Sequence, residues 1–465
     1  MALRIYNTLT RQVEELKPIR DNKIRMYTCG PTVYHYVHIG NLRTFLFQDI
    51  LRRYIRYRGF DLVQVMNVTD VEDKIIARAR EEGVSIGEYT KKYEKAFLAD
   101  MDTLRIQRPE IMPRATEHID VMIDLVSKLK EGGFTYERDG STYYRIDRFK
   151  NYGKLSQLDP GDGRPGGQVD EDEYSKEDPR DFVLWKARKE GEEEWDSPFG
   201  PGRPGWHLEC SAMSMKYLGE SFDIHCGGVD LVFPHHENEI AQSEGATGKP
   251  FVQHWVHAAH LIVEGQKMSK SLGNFLTLRD LLDTGCNPGA LRYLLASVHY
   301  RRQLNFTSDG LEQSRASIHR VDDFVLRVRE VADGVPANDE VSERVRLARQ
   351  RFEDAMDEDL NTSAALAALF ELVRDVNVRL ESKQVGSSNR DEVLAFLQDV
   401  NQIFDVFEIE ELELGDEEVV RLIDEREKAR RDREYSRADE IRDLLQERGI
   451  LLEDTGDGTR WKRRN

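Results

Sequence analysis

The sequence predicts an α/β protein: a Rossmann-type parallel-sheet domain split by an insertion, followed by an α-helical bundle and a small C-terminal domain. Three observations carry this. Strand-like and helix-like segments alternate near the start and again from Trp206 to position 285, the grammar of a parallel sheet. Residues 108–200 interrupt that grammar. From Gly289 to 405 the pattern is almost wholly helical, and the stretch from 406 is short and densely charged. The expected domains are therefore 1–107 and 201–288 for the two halves of the sheet domain, 108–200 for the insertion, 289–405 for the bundle and 406–465 for the last domain.

Taken in order, Ile24 to Cys29 is β-compatible and ends in a turn at Gly30-Pro31. From Leu42 the apolar positions Phe45, Leu46, Ile50 and Tyr54 recur at helical spacing until Gly59 stops the run. Leu62 to Val68 alternates like a second strand. Thr69 and Glu72 then have the S/T-x-x-E spacing of a capping box and predict a helix. In the insertion, Asp139-Gly140 separates Phe134-Thr135-Tyr136 from Thr142-Tyr143-Tyr144, which reads as a hairpin. The loop from Pro160 to Asp178, rich in glycine and acids, is the expected disordered segment. Beyond Gly289, runs such as Ala364 to Val373 are helical, and no internal repeat is visible.

Composition narrows the class. A chain of 465 residues exceeds what one core serves, and 39% hydrophobic with 33% charged residues suits a soluble globular protein. The opening MALRIYNTLTRQVEEL lacks the layout of a signal peptide, and no apolar run is long enough to cross a bilayer. The expectation is a cytoplasmic protein with no membrane partner. Cys29, Cys210, Cys226 and Cys286 are too scattered for a disulfide framework, which leaves metal binding or burial. The net charge of −19 points to an acidic solubilising surface. It excludes no nucleic acid, because phosphate contacts depend on local basic surface.

Two short motifs suggest nucleotide chemistry. His38-Ile39-Gly40-Asn41 falls between the first strand and the first helix, where a helix N-terminus offers N–H groups to phosphates and glycine permits close approach. Lys267-Met268-Ser269-Lys270-Ser271 would place two cations in a tight loop able to neutralise transferring phosphates. Alone, the first suits an ordinary turn and the second a solvated one. Together, in this order, with a split Rossmann pattern between them, they resemble the paired signatures of class I aminoacyl-tRNA synthetases.

A third constellation has metal-ligand chemistry. His235 and Glu239, four apart, would share one helix face, and with Cys29 and Cys210 they supply two thiolates, an imidazole and a carboxylate, a set suited to zinc. Spacing alone leaves open that the cysteines are small buried hydrophobes and the His/Glu pair a surface feature.

The segments Cys29-Gly30-Pro31-Thr32-Val33-Tyr34, Asn67-Val68-Thr69-Asp70, Arg203-Pro204-Gly205-Trp206-His207 and Phe233-Pro234-His235-His236-Glu237-Asn238-Glu239 resemble the cysteinyl-tRNA synthetase family. So do Lys74 to Ala79, Asp181 to Lys186, Met356 to Thr362 and Glu453-Asp454, and the likeness spans essentially the whole chain. The resemblance implies one Zn²⁺ per chain on Cys29, Cys210, His235 and Glu239, gripping the thiol of the substrate. It implies L-cysteine, ATP with Mg²⁺ and tRNA(Cys) as partners, with the chain a monomer. His38, Gly40, Asn41, Lys267, Ser269 and Lys270 would bind ATP, with His38, Asn41, Lys267 and Lys270 stabilising charge. Thr69, Trp206, His225 and Asp230 would surround the amino acid, although a cap, a core residue and a turn residue are the plain readings of Thr69, Trp206 and Asp230. Zinc would then select against serine, consistent with an insertion too short for a separate editing domain.

The helical region resembles the family's tRNA-facing bundle and the last segment its anticodon-reading domain. Basic clusters at Lys428-Ala429-Arg430-Arg431 and Arg460-Trp461-Lys462-Arg463-Arg464 are candidates for the RNA backbone, with Trp461 for stacking. The sequence departs from the family where Asn41 replaces the usual second histidine and Cys226 a common glycine. The alternatives are a cysteine-to-glucosaminyl-inositol ligase of mycothiol biosynthesis, which lacks the terminal region, and an inactive RNA-binding relative, which would have lost its zinc ligands or lysine loop. A persulfide-forming activity with pyridoxal phosphate, linked in some relatives to lysines such as Lys74, is untouched by these residues.

Overall fold

The computed structural model describes residues 2–157, 176, 178, 180–269, 272–409, 417–432, 434–447, 450–455 and 458–463. Among them, no helix is long and apolar enough to cross a membrane.

Four parallel strands form the central sheet, in the order Val252–Ala258, Phe222–Gly228, Lys23–Thr28, Asp61–Met66. The strands Lys23–Thr28, Phe222–Gly228 and Val252–Ala258 are largely buried on both faces, polar residues such as Asp223, His225 and His257 included. The helix Ile39–Tyr57 connects the strand Lys23–Thr28 to its neighbour Asp61–Met66, as a parallel crossover must. The later halves of the sheet are linked the same way, by Glu237–Thr247 between Phe222–Gly228 and Val252–Ala258.

The insertion supplies three strands of a four-stranded antiparallel sheet, Thr135–Arg138, Ser141–Tyr144 and Phe182–Ala187, and Gly202–Pro204 just beyond it supplies the fourth. Its first hairpin turns at Asp139 and Gly140, both with positive φ (51° and 77°), the backbone that a two-residue primed turn requires. The helix Ile119–Glu131 buries Met122, Leu125, Val126 and Leu129 with Leu208, Ala212 and Met213 of the helix Trp206–Leu218, so insertion and sheet domain share one core. Most of the segment expected to be disordered, Pro160 to Asp178, lies outside the described residues.

A three-stranded sheet of Gln266–Lys267, Leu261–Val263 and Leu304–Phe306 follows the central one. The helical region begins at Asn287, whose side chain accepts from the Ala290 N–H ahead of Pro288 at the first turn. It comprises Pro288–Ser297, Ser308–Arg329, Asp339–Asp357, Thr362–Glu381 and Ser387–Phe404.

The chain divides into two compact units, Met1–Phe407 and Glu408–Asn465. The second consists of the helices Glu417–Arg431 and Tyr435–Glu447 and the hairpin of Ile450–Thr455 with Gly458–Arg463. Val419, Leu422, Ile423, Ile441, Leu445 and Ile450 form its own core.

Two local expectations are corrected. Thr69 and Glu72 make no capping box: Glu72 is itself the N-cap of Asp73–Glu82, accepting from Lys74 N–H at 2.8 Å, while the Thr69 hydroxyl turns inward. His235 does not share a regular helix with Glu239. It sits in the π-helical stretch Val232–His236, in which Phe233 is non-helical, and the regular helix starts at Glu237.

Candidate active site

The candidate residues gather at the carboxyl ends of the parallel strands, where open α/β sheets hold their ligands. Cys29 follows the strand Lys23–Thr28 directly, and Asn67 and Thr69 follow Asp61–Met66. His225 lies within Phe222–Gly228, and His257 is next to the end of Val252–Ala258. Cys210 projects from the second turn of Trp206–Leu218, and His235 and Glu239 flank the entry to Glu237–Thr247. Gly30 lets this bend close: a Cβ there would stand 1.7 Å from the Asn67 carbonyl oxygen.

Cys29, Cys210, His235 and Glu239 are all buried, with one donor atom from each lying within 4.8 Å of the others. Cys29 Sγ is 3.9 Å from Cys210 Sγ and 3.8 Å from Glu239 Oε1, which is 3.1 Å from His235 Nε2. Ligands at 2.0–2.3 Å on a tetrahedron stand roughly 3.3–3.8 Å apart. The four donors therefore have the spacing of a tetrahedral site, and their chemistry suits a borderline-soft divalent ion. A second set, Cys29, His225, His236 and Glu239, also falls within 4.8 Å. The two share Cys29 and Glu239 and are alternatives for one ion. The first offers two sulfurs and a carboxylate. In the second, His225 Nε2 is bonded to Glu239 Oε2 at 2.9 Å.

The charges favour a cation. The hydrogen bond from Cys29 lowers the Cys210 thiol to about 6 despite burial. Burial, reinforced by Cys210, holds the Cys29 thiol well above its ordinary value. Burial opposes ionisation of Glu239, yet His225 and then His235 bring it down to about 2. Burial likewise opposes a charged His235, but Cys210 and Glu239 raise it to about 10. A thiolate and a carboxylate thus sit together, out of water, around an imidazolium whose proton a bound cation would displace.

A polar shell surrounds the four. His235 Nδ1 is 2.9 Å from His207 Nδ1, and His207 is kept neutral chiefly by burial. Were His235 to hold a metal through Nε2, its proton would sit on Nδ1 and donate to His207, which would fix the ring. His236 Nε2 lies 3.3 Å from Cys29 Sγ, His236 Nδ1 2.8 Å from His257 Nε2, and His257 Nδ1 2.8 Å from Thr8 Oγ1. His225 stacks on Trp255 at 4.5 Å, and the Trp206 ring lies 4.5 Å from that of His235. Thr69 donates to buried Glu209 (2.7 Å) and accepts from Asn67 Nδ2 (3.1 Å), while Asn67 Oδ1 takes the Gly30 N–H (2.9 Å). Asp230 is exposed in the turn after Phe222–Gly228, and Cys226 is a fully buried thiol pushed up by burial.

The two nucleotide motifs meet. His38 caps the helix Ile39–Tyr57: its Nδ1 accepts the Asn41 N–H at 3.1 Å, and Asn41 Oδ1 accepts the His38 N–H at 3.3 Å. A Cβ on Gly40 would lie 3.2 Å from Cε of Met268, so the lysine loop packs against the first motif. Lys267 is exposed at the end of a strand. Asn274 pins the loop, accepting from Ser269 N–H at 2.8 Å and donating to Lys267 O at 3.2 Å. Lys270 and Ser271 lie outside the described residues.

Sequence reasoning missed Glu209, His207, His236, His257 and Asn67. The one signal in the sequence was density: Trp206-His207-Leu208-Glu209-Cys210 and His235-His236-Glu237-Asn238-Glu239 carry more polar groups than a sheltered segment tolerates without use.

Known proteins place these features in context. Residues 15–316 match the family of tRNA synthetases class I (C) catalytic domain, 351–409 the DALR domain, and 415–461 the cysteinyl-tRNA ligase anticodon binding domain. A cysteine--tRNA ligase of Solibacter usitatus is 53% identical, with 100% of both chains covered. One of Brachyspira hyodysenteriae is 48% identical over 99% of each, and one of Thermococcus onnurineus 46% over 100% of this chain and 99% of its own. Among solved structures, a Mycobacterium tuberculosis methionyl-tRNA synthetase in complex with methionyl-adenylate aligns with a TM-score of 0.60. It covers 82% of this chain and 90% of its own at 14% identity, a likeness of fold alone.

Proposed function

Because this chain belongs to the cysteinyl-tRNA synthetase family, a family of class I ligases, we propose that it activates L-cysteine with ATP and loads it onto tRNA(Cys). The supporting observation is the buried convergence of Cys29, Cys210, His235 and Glu239 beside the two nucleotide motifs. On this reading those four residues hold one Zn²⁺, which supplies a soft-ligand site for the substrate thiol and disfavours a serine hydroxyl.

The residues of the chain do the rest by position and charge. The carboxylate of cysteine attacks the α-phosphate of Mg²⁺-ATP, forming cysteinyl-adenylate and releasing pyrophosphate. His38 Nδ1 is occupied by the Asn41 N–H, so in the neutral ring Nε2 carries the proton and is the donor offered to phosphate. Asn41 Oδ1 is likewise occupied, leaving its Nδ2 as the outward donor. Gly40 keeps the helix start open to the nucleotide, with Ser269, and Lys267 and Lys270 balance the charge on the departing pyrophosphate. Thr69, Trp206, His225 and Asp230 border the amino acid. A terminal tRNA hydroxyl then takes the cysteinyl group, with no covalent enzyme intermediate. The five-part division at 107, 200, 288 and 405 is the domain reading that accompanies this, with 289–405 facing tRNA and 406–465 reading the anticodon. The match of residues 415–461 to an anticodon-binding domain favours tRNA over an amino-sugar acceptor. The monomeric state and a cytoplasmic setting belong to the same proposal.

Purified protein incubated with ATP, Mg²⁺, labelled cysteine and tRNA tests it, with serine and chelator-treated samples alongside. Label should enter tRNA from cysteine only, and only with metal. Folded, zinc-loaded protein that charges no cognate tRNA would overturn the proposal.

A further inference from the structure

Arg43 lies two residues beyond Asn41 on the helix that the first nucleotide motif opens, and only 2% of its surface is exposed. A buried guanidinium is expected beside a carboxylate. Instead its hydrogen bonds go to four backbone carbonyls. Nη1 donates to Ala259 O at 2.7 Å and His260 O at 2.8 Å. Nη2 donates to His299 O at 3.4 Å and to Arg302 O. Burial lowers its pKa only to about 10, so it stays charged at neutral pH.

Those four carbonyls have one thing in common. Ala259 and His260 immediately precede the strand Leu261–Val263, and His299 and Arg302 precede Leu304–Phe306, its parallel neighbour. The same roots are cross-linked by Ala259 N–H to Tyr300 O (2.8 Å) and Leu304 N–H to His260 O (3.3 Å). Leu261–Val263 pairs in turn with Gln266–Lys267, from which the lysine loop departs. Arg43 therefore grips both roots of the small sheet that carries the loop. At the loop's far end, Leu276 O accepts the Ile39 N–H at 3.0 Å, and Phe275 lies edge-on to His38 with centroids 5.2 Å apart. The described ends of the loop, at Lys267 and at Phe275-Leu276, are thus tied to the same helix, the first through Arg43.

We infer that Arg43 is a positioning residue for phosphate chemistry: through the four carbonyls it sets Lys267 and the start of the lysine loop at their working distance from His38 and Asn41. The inference rests on the synthetase reading of that loop. Its fork geometry matters as well as its charge, because one lysine nitrogen cannot reach both strand roots.

A merely structural arginine would give a different result, and the molecule contains a control. Arg292 is equally buried but holds Leu104 O, Arg105 O, Phe404 O and Asp49, away from the motifs. The measurement is cysteine-dependent ATP–pyrophosphate exchange by full-length, zinc-loaded Arg43→Gln, Arg43→Lys, Arg292→Lys and wild-type protein, with cysteine binding and zinc content measured on each. Arg43→Gln should lose about 100-fold in kcat, as expected of roughly a 1 Å misplacement. Its KM for ATP, cysteine affinity and zinc content should each change by less than about 3-fold. Arg43→Lys should recover about 10-fold of the loss, and Arg292→Lys should keep wild-type kcat when folded. If Arg43→Gln does not fold, Arg43→Lys carries the same comparison. Undiminished kcat in a folded Arg43 variant would overturn the inference, as would a loss that tracks zinc or cysteine binding or is equalled by Arg292→Lys. Absence of exchange by wild type would bring down the synthetase reading with it, whereas exchange that survives the Arg43 variants brings down only this inference.

Discussion

His207 shows how much of the site rests on residues that touch no ligand. Its Nδ1 lies 2.9 Å from His235 Nδ1, and burial keeps it neutral and able to accept. His207→Phe preserves a flat ring but removes that acceptor, so the His235 ring loses its orientation and its preferred tautomer. Zinc affinity, measured by competition with a chromogenic chelator, should fall about 10–100-fold. Circular dichroism of the metal-loaded protein should stay unchanged. An affinity equal to wild type would mean that packing alone orients His235. The four candidate ligands came from the family resemblance, since spacing alone left the cysteines and the His/Glu pair open, and the structure brings their donor atoms together. Glu209 and His257 were not, since a buried hydrogen-bond network has no period. Its members become partners only after strands distant in sequence are laid side by side.

Secondary elements were easier to read than their ends. The alternation that predicted strands at Ile24 and Leu62 and a helix between them is seen as Lys23–Thr28, Asp61–Met66 and Ile39–Tyr57. The capping box at Thr69 failed because a tertiary partner, Glu209, captured the hydroxyl that local spacing had assigned to the backbone. His235 precedes the regular helix, in the π-helical stretch Val232–His236 whose Phe233 is non-helical. Loops that bring elements together depend on close backbone approach, and Gly30 is the sharpest case. The Cβ of Gly30→Ala would meet the Asn67 carbonyl oxygen at 1.7 Å and Met66 Cγ at 2.9 Å. Because a backbone atom is the nearer neighbour, the strand end itself must move. The expected cost is about 3 kcal/mol or more, at the upper end of overpacking effects. Denaturant melts should show it as a lower midpoint at unchanged slope. Cysteine binding should weaken too, because the shift displaces both Cys29 and Thr69. A variant as stable as wild type would show that the loop has slack.

At the scale of the whole chain, the change from alternating to helical grammar near Gly289 and the charged final stretch pointed to separate bodies. The structure divides the chain once, between Phe407 and Glu408, because the insertion and the helical region pack into the same unit as the sheet. A composition shift marks where elements change type, not whether their apolar faces merge. The second unit has its own core, from Val419 to Ile450, and exposes Lys428, Arg430 and Arg431 on one helix. Trp461 and its basic neighbours lie on the hairpin strand Gly458–Arg463, except Arg464, which falls outside the described residues. Every residue named here in the metal cluster and the nucleotide motifs belongs to the first unit. A chain ending at Phe407 should therefore keep cysteine-dependent pyrophosphate exchange within about 3-fold of full length, since adenylate formation needs no tRNA. Charging should suffer separately. Losing even two base contacts at about 1–3 kcal/mol each lowers kcat/KM for tRNA by at least about 30-fold. The loss should appear mainly in KM and should persist at low salt, where electrostatic contacts to phosphates are strongest. Equal loss of exchange and charging would place part of the activation chemistry in the second unit. Undiminished charging would remove that unit from tRNA recognition altogether.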